Sequence, residues 1–364
     1  MKDKNGFKRH KDRGSKVKLI QISAMFPFRL PLLAALLGVV LSQYDYGYDY
    51  NPAEVRAPTP RCSDECECPS NFPTAMYCDH RDLKAVPFVP TGIKYVYLQN
   101  NHITEIKSGV FDNVTDLRWL ILDNNNLTNG KIEKGTIDKL TKLEKLHINF
   151  NMLSEAVVPK SSAMEEIKMI GNKITKFPAG LLSGMDNLTA VHLLKNQLTS
   201  DGLSGAFKGL KSLMLLDVSE NKLKKLPAGM PSSLMMLYAD HNDIESISAG
   251  YLQKLPTLQY LRISHNKLQD SGVPAGVFNV SSLVELDLSY NKLTSIPEIG
   301  ENLEHLYLQV NDISKFDVSS FCKVVSPVSY SKIRDLRLDG NNLTPQSLPL
   351  EASQCLPLAT DLEI

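Results

Sequence analysis

The chain has 364 residues, its 40 Lys+Arg matched by 40 Asp+Glu, and 43% of it is hydrophobic. Residues 1–42 hold nine of the basic and two of the acidic residues, which leaves 31 basic and 38 acidic residues beyond them, a formal −7. That balance excludes the cationic footprint with which nucleic-acid-binding chains neutralise phosphates. The first element in chain order is "RLPLLAALLGVVLS", an apolar run from Leu30 to Leu41 behind Arg29. It has the length of a signal-peptide core and falls short of the roughly 20 residues that span a bilayer. Val40 and Ser42 put small residues at the −3 and −1 positions of a cleavage site, so the mature chain is expected to begin at Gln43. An uncleaved anchor is the alternative. Residues 1–24 are basic and lie outside an ordinary signal, and a start at Met25 would leave a conventional one. The expectation is a secreted chain with no transmembrane segment in its mature part.

Next comes "QYDYGYDYNPAE", with Tyr44, Tyr46, Tyr48 and Tyr50 on alternate positions. Such alternation suits a half-buried strand. Against that, Gly47 interrupts it and the proline-bearing "NPAEVRAPTPR" follows, as in a tail and linker. A strand here would also leave an aromatic edge unprotected. Residues 43–61 are therefore read as an acidic tail and linker. "CSDECECPSNFPTAMYC" then places Cys62, Cys66, Cys68 and Cys78 in a cysteine-rich N-terminal cap over 62–92.

From residue 93 the chain repeats itself. "LRWLILDNNNL", "LEKLHINFNML", "LTAVHLLKNQL", "LMLLDVSENKL", "LQYLRISHNKL", "LVELDLSYNKL" and "IRDLRLDGNNL" all fit L-x-x-L-x-L-x-x-N-x-L. Four looser copies make eleven leucine-rich repeats. Their asparagines are Asn101, Asn125, Asn151, Asn172, Asn196, Asn221, Asn242, Asn266, Asn291, Asn311 and Asn341. No such unit can bury its apolar face alone, so the units must stack into a solenoid. The asparagines are expected to turn inward and satisfy backbone groups left over by the turn. The fold class expected is an α/β leucine-rich-repeat solenoid. It would carry a curved parallel β-sheet on the concave face, a mostly irregular, polyproline-like or short-helical convex side, and disulfide-capped ends. Residues 93–320 are the repeats. Residues 321–364 hold an overlong repeat, the last repeat and a C-terminal cap, with Cys322 and Cys355 closing it. Six cysteines in a secreted chain read as three disulfides. A zinc site from the first four, with His80, is the rival, and C-x3-C-x-C is unlike a zinc finger's spacing.

Five Asn-x-Ser/Thr glycan acceptors occur, at Asn113, Asn126, Asn187, Asn279 and Asn342. Asn113, Asn187 and Asn279 precede strands on returning loops, whereas Asn126 and Asn342 directly follow ladder asparagines. The middle residue of each L-x-L gives one outward row, whose second half reads Asp217, Tyr238, Arg262, Asp287, Tyr307, Arg337. Asp240 stands beside it. There is no G-x-S-x-G, H-E-x-x-H or phosphate loop, and His147, His192, His241 and His265 look scattered. Neither catalysis nor a cofactor or metal is expected.

The spacing C-x3-C-x-C-x9-C, the repeats, and the long repeat holding Cys322 resemble the class II small leucine-rich proteoglycans, from about Gln43 onward. The resemblance implies the pairs Cys62–Cys68 and Cys66–Cys78, with the long repeat projecting sideways as an "ear". It implies sulfation of the tail tyrosines Tyr44, Tyr46, Tyr48 and Tyr50, and keratan sulfate or plain N-glycans on the acceptor asparagines. It also implies an extracellular matrix protein that binds fibrillar collagen and regulates fibril diameter and spacing, with a family role in corneal transparency. Tyrosine rings suit proline faces, and aspartate and arginine can pair with the charges on a collagen rod. A solenoid face can equally serve a recognition module for lipopolysaccharide, growth factors or other matrix proteins. A merely solvated face with ion pairs is the third possibility.

Overall fold

In the computed structural model, residues 62–326 and 329–364 are described, so the signal, the tail and Tyr44, Tyr46, Tyr48 and Tyr50 lie outside the described residues. In each repeat the first leucine (or Val or Ile) of L-x-L and the residue on either side of it form a three-residue strand, with the central side chain pointing inward and its neighbours pointing out. Among the described residues there are thirteen such strands, all parallel, joined in chain order with no crossover. They are β1 (Ala75–Tyr77), β2 (Tyr95–Tyr97), β3 (Trp119–Ile121), β4 (Lys145–His147), β5 (Glu166–Lys168), β6 (Ala190–His192), β7 (Leu215–Asp217), β8 (Met236–Tyr238), β9 (Tyr260–Arg262), β10 (Glu285–Asp287), β11 (His305–Tyr307), β12 (Asp335–Arg337) and β13 (Asp361–Glu363). The eleven repeats account for β2 to β12. β1 and β13 come from the caps, whose sequences "AMY" and "DLE" carry no repeat signature.

The inward residues Val96, Leu120, Leu146, Ile167, Val191, Leu216, Leu237, Leu261, Leu286, Leu306 and Leu336 have no exposed surface. They belong to one core that runs from Met76 to Leu356. The return segments supply short 3-10 turns such as Asp201–Leu203 and Leu252–Lys254, and one four-residue helix, α1 (Ala352–Cys355). These segments are wider than the ~4.8 Å between strands, so the stack bends with the sheet on its inner, concave side.

The asparagine ladder holds the turns together. Asn125 donates its amide to the carbonyls of Leu98 and Leu122 (2.9 and 3.1 Å) and accepts from the Ile103 N–H at 2.9 Å. One side chain thus bonds its own turn and the preceding one. The residue before each ladder asparagine is held at positive φ, from Asn100 (+57°) to Gly340 (+71°). At Gly171 this is joined by a close approach, since a Cβ there would lie 2.5 Å from the Phe150 ring. The ends are closed by Cys62–Cys68, Cys66–Cys78 and Cys322–Cys355. The zinc alternative is thereby set aside.

Candidate functional site: the outer face of the sheet

The strand register turns the outward residues into continuous rows. Asp217 pairs with Tyr238, Tyr238 with Arg262, Arg262 with Asp287, Asp287 with Tyr307 and Tyr307 with Arg337. At ~4.8 Å per strand, this stretch is about 24 Å long. A second row, from the first residue of each strand, runs beside it and includes Trp119, Lys145, Glu166, Tyr260, Glu285 and His305. The x of L-x-L does not reveal this row, although the same repeat alignment marks it two positions earlier in each unit.

The half of the face around β7 to β10 is acidic and built around one guanidinium. Arg262 Nε lies 3.2 Å from Asp240 and 4.0 Å from Asp287, and its guanidinium sits 5.7 Å from the centre of the Tyr238 ring. Each aspartate also uses a carboxylate oxygen locally. Asp240 accepts from the Ser264 N–H (2.7 Å), Asp287 from the Ser289 N–H (2.9 Å) and hydroxyl, and Asp217 from the Ser219 N–H (3.0 Å). Asp240 and Asp287 are only 9% and 8% exposed, so they are fixed acceptors rather than loose surface charges. Burial pushes the carboxyls of Asp217, Asp287 and Glu285 above the usual range, and it pushes Tyr238 up to about 12. Burial works against the Arg262 charge, but Asp240 and Asp287 outweigh it and raise its pKa. Four carboxylates against one guanidinium, flanked by Tyr238, Tyr260 and Tyr307, make a rigid surface that favours cationic and ring-bearing side chains. Arg337 is engaged separately, with Asp339 at 3.1 Å and Glu363 at 2.8 Å.

Toward the N-terminus the chemistry reverses. Glu166 accepts from His147 at 2.8 Å and from Lys168 at 3.0 Å, with His192 Nε2 at 3.9 Å. Burial opposes its ionisation, yet His147 and Lys168 hold its carboxyl well below the usual range. Desolvation, helped by the Lys168 charge, lowers His192 to about 4. Further on, Lys145 sits 4.3 Å over the Trp119 ring, and Tyr77 stacks on Tyr97 at 4.9 Å. The histidines are therefore not scattered, contrary to the expectation from sequence. His147 and His192 meet around Glu166, and His241 and His265 stack at 4.0 Å, with Tyr290 as the next ring at 4.0 Å. Strands two repeats apart and turns one repeat apart bring these residues together, which linear spacing conceals. Among the described residues, no group of three or more His, Cys, Asp or Glu is placed to hold a metal ion. No helix among them is long and apolar enough to cross a membrane.

All five acceptor asparagines, Asn113, Asn126, Asn187, Asn279 and Asn342, are exposed. None lies on the strands that form the sheet face. Asn187 donates to the Ser162 carbonyl at 3.2 Å and Asn279 to Glu298 at 2.8 Å.

The comparisons with known proteins agree with this architecture. Leucine rich repeat models match residues 91–153, 254–275 and 282–301, and the leucine rich repeat N-terminal domain matches 61–90. The FLRT2-containing complex with Latrophilin 3 and Unc5D has a chain similar at TM-score 0.65 and 25% identity, covering 83% of both chains. An internalin from Listeria monocytogenes shares the fold at TM-score 0.58 and 18% identity, over 91% of this chain and 94% of that one. Lumican from Gallus gallus is 56% identical over 92% of this chain and 98% of its own length. Lumican from Homo sapiens is 52% identical over the same shares, and fibromodulin from Homo sapiens is 47% identical over 88% of this chain and 85% of its own. With a disulfide-capped solenoid, an unbroken asparagine ladder and this identity along nearly all of its length, the chain belongs to the lumican family of leucine-rich-repeat proteoglycans.

Proposed function

We propose that the chain is a secreted, non-catalytic proteoglycan of the extracellular matrix. It binds fibrillar collagen along the sheet face from Asp217 to Arg337 and limits the lateral growth of fibrils. Glycans on the loop asparagines then act as hydrated spacers between fibrils. The observation that carries this reading is the carboxylate cluster around Arg262, set between tyrosines on one continuous row of about 24 Å. A collagen rod offers proline rings and basic side chains at intervals along its length, and both find partners on this surface.

The test is fibril assembly with the secreted protein, wild type against Asp217→Ala, Asp240→Asn and Asp287→Ala combined. Asparagine at 240 keeps the acceptor for Ser264. At 217 or 287 it would create a new Asn-x-Ser acceptor ahead of Ser219 or Ser289, so alanine is used there. Wild type should give thinner fibrils, and the triple variant should lose most of that effect while keeping its far-ultraviolet spectrum. A folded variant that thins fibrils as wild type does would remove this face from the mechanism.

A further inference from the structure

The 30-residue interval between Asn311 and Asn341 makes the ear repeat, and it leaves a cleft of about 730 Å³ beside the preceding turns. That volume is in the range of ligand clefts, and this one is open to solvent on one side. One wall carries Phe321, Lys323, Tyr330 and Lys332 from the ear. The other carries Asn279 and Ser281, the first and third residues of a glycan acceptor. Val324 and Tyr330 of the ear are 64% and 46% exposed, an apolar and aromatic surface with no protein cover among the described residues.

The acceptor is held firmly in place. Gly300 packs so closely on it that a Cβ there would lie 2.3 Å from the Val280 carbonyl oxygen, and the Gly300 N–H donates to the Phe278 carbonyl at 3.1 Å. The Asn279 amide donates to Glu298 at 2.8 Å, and Glu298 pairs with Lys323 of the ear at 3.4 Å. The sequon asparagine is thus tied through one carboxylate to the far wall of the cleft.

We infer that the cleft is the seat of the chain's own glycan, with the innermost sugars of an N-glycan on Asn279 lying between that residue and Tyr330. In N-glycosylation the Asn279 amide nitrogen displaces a lipid pyrophosphate from the anomeric carbon of the sugar donor and gives up one of its two protons. The nitrogen keeps one N–H, which leaves it a donor within reach of Glu298. The apolar face of a sugar ring packs against a tyrosine ring, and its hydroxyls and acetamide take bonds from the Lys323 and Lys332 ammonium groups. Any acidic substituent on those sugars would meet the same two cations. The glycan becomes part of the ear's packing, whereas glycans on open loops project freely.

This inference rests on the secretory route assumed by the proposed function. Its test uses the full chain secreted from mammalian cells, with Asn279 occupancy read by peptide mass and backbone hydrogen exchange measured over residues 318–326. Ser281→Ala removes the glycan and leaves the Asn279–Glu298 bond in place, so it separates loss of sugar from loss of the local contact. The expected result is severalfold faster exchange in Ser281→Ala. Tyr330→Ala should show the same increase with the glycan still attached, and strands near the N-terminus should be unchanged. An occupied Asn279 with equal exchange in wild type and Ser281→Ala would overturn the inference alone. So would an unoccupied Asn279 on a chain glycosylated elsewhere. A chain with none of its five acceptors occupied would overturn the secretory reading as well.

Discussion

Asn242 shares its two amide protons among the carbonyls of Val218, Ala239 and Asp240 and accepts from the Leu223 N–H at 2.9 Å. Alanine there would orphan buried backbone groups in two adjacent turns, at about 2–4 kcal/mol, measurable as a fall in the urea midpoint. Its neighbour Asp240 should behave differently, since Asp240→Asn keeps the acceptor for Ser264 and should cost less than about 1 kcal/mol. Val310 is held at φ +54°, a poor region for a β-branched residue, and its side chain is 40% exposed. Val310→Asn should stabilise the protein by about 1 kcal/mol, because asparagine tolerates that backbone better. Equal or lower stability would mean that the valine's contact beside Gly340 outweighs the strain. The ladder roles were legible from the motif alone, since a single asparagine recurring after each L-x-L has one way to be satisfied. The strain at Val310 was not, because the motif leaves that position open to residues from glycine to phenylalanine.

At the scale of strands, β4, β5 and β6 carry a charge cluster with a definite response to acid. His192 titrates at about 4 in the folded chain, against 6.5 when unfolded, because it is desolvated beside Lys168. Between those values the unfolded chain binds the extra proton, so this contribution is complete above pH 6.5 and is lost as the pH falls toward 4. It amounts to about 3 kcal/mol over that window. Glu166 acts in the same direction at lower pH. Its pKa is held below the unfolded value of 4.5, so its contribution is present above 4.5 and fades in stronger acid. Thermal melts should therefore show wild type losing stability relative to His192→Gln as the pH falls from 6.5 to 4. Parallel curves would show that His192 is not the group responsible. The alternating rows were readable from the repeats, and so was the acidic end of the face. The meeting of His147 with His192 was not, because it depends on β5 lying between them and on Glu166 reaching both. The cap strands β1 and β13 were equally hidden, since "AMY" and "DLE" carry no repeat signature to mark them.

Taken whole, the molecule is a stack in which each turn rests on its two neighbours, so stability is a chain of nearest-neighbour terms with the ends most exposed to fraying. The Cys322–Cys355 bridge spans 33 residues and ties the last turns together. Replacing both cysteines with serine should cost roughly 3.5–4 kcal/mol in the chain-entropy view. The loss should appear first as faster hydrogen exchange over residues 318–364, with the middle repeats following later. A uniform change along the whole stack would show that the turns unfold as one. Strict sequential order also has a mechanical consequence. A pull applied to the two ends loads the turns in series, so the stack would lengthen by shedding one coil of some 20–26 residues at a time. At one end the Cys322–Cys355 bridge makes the last coils yield together, and at the other Cys62–Cys68 and Cys66–Cys78 keep the cap closed and pass the load to the repeats beyond it. A protein placed between fibres would then answer a slow stretch as a spring with stops at both ends.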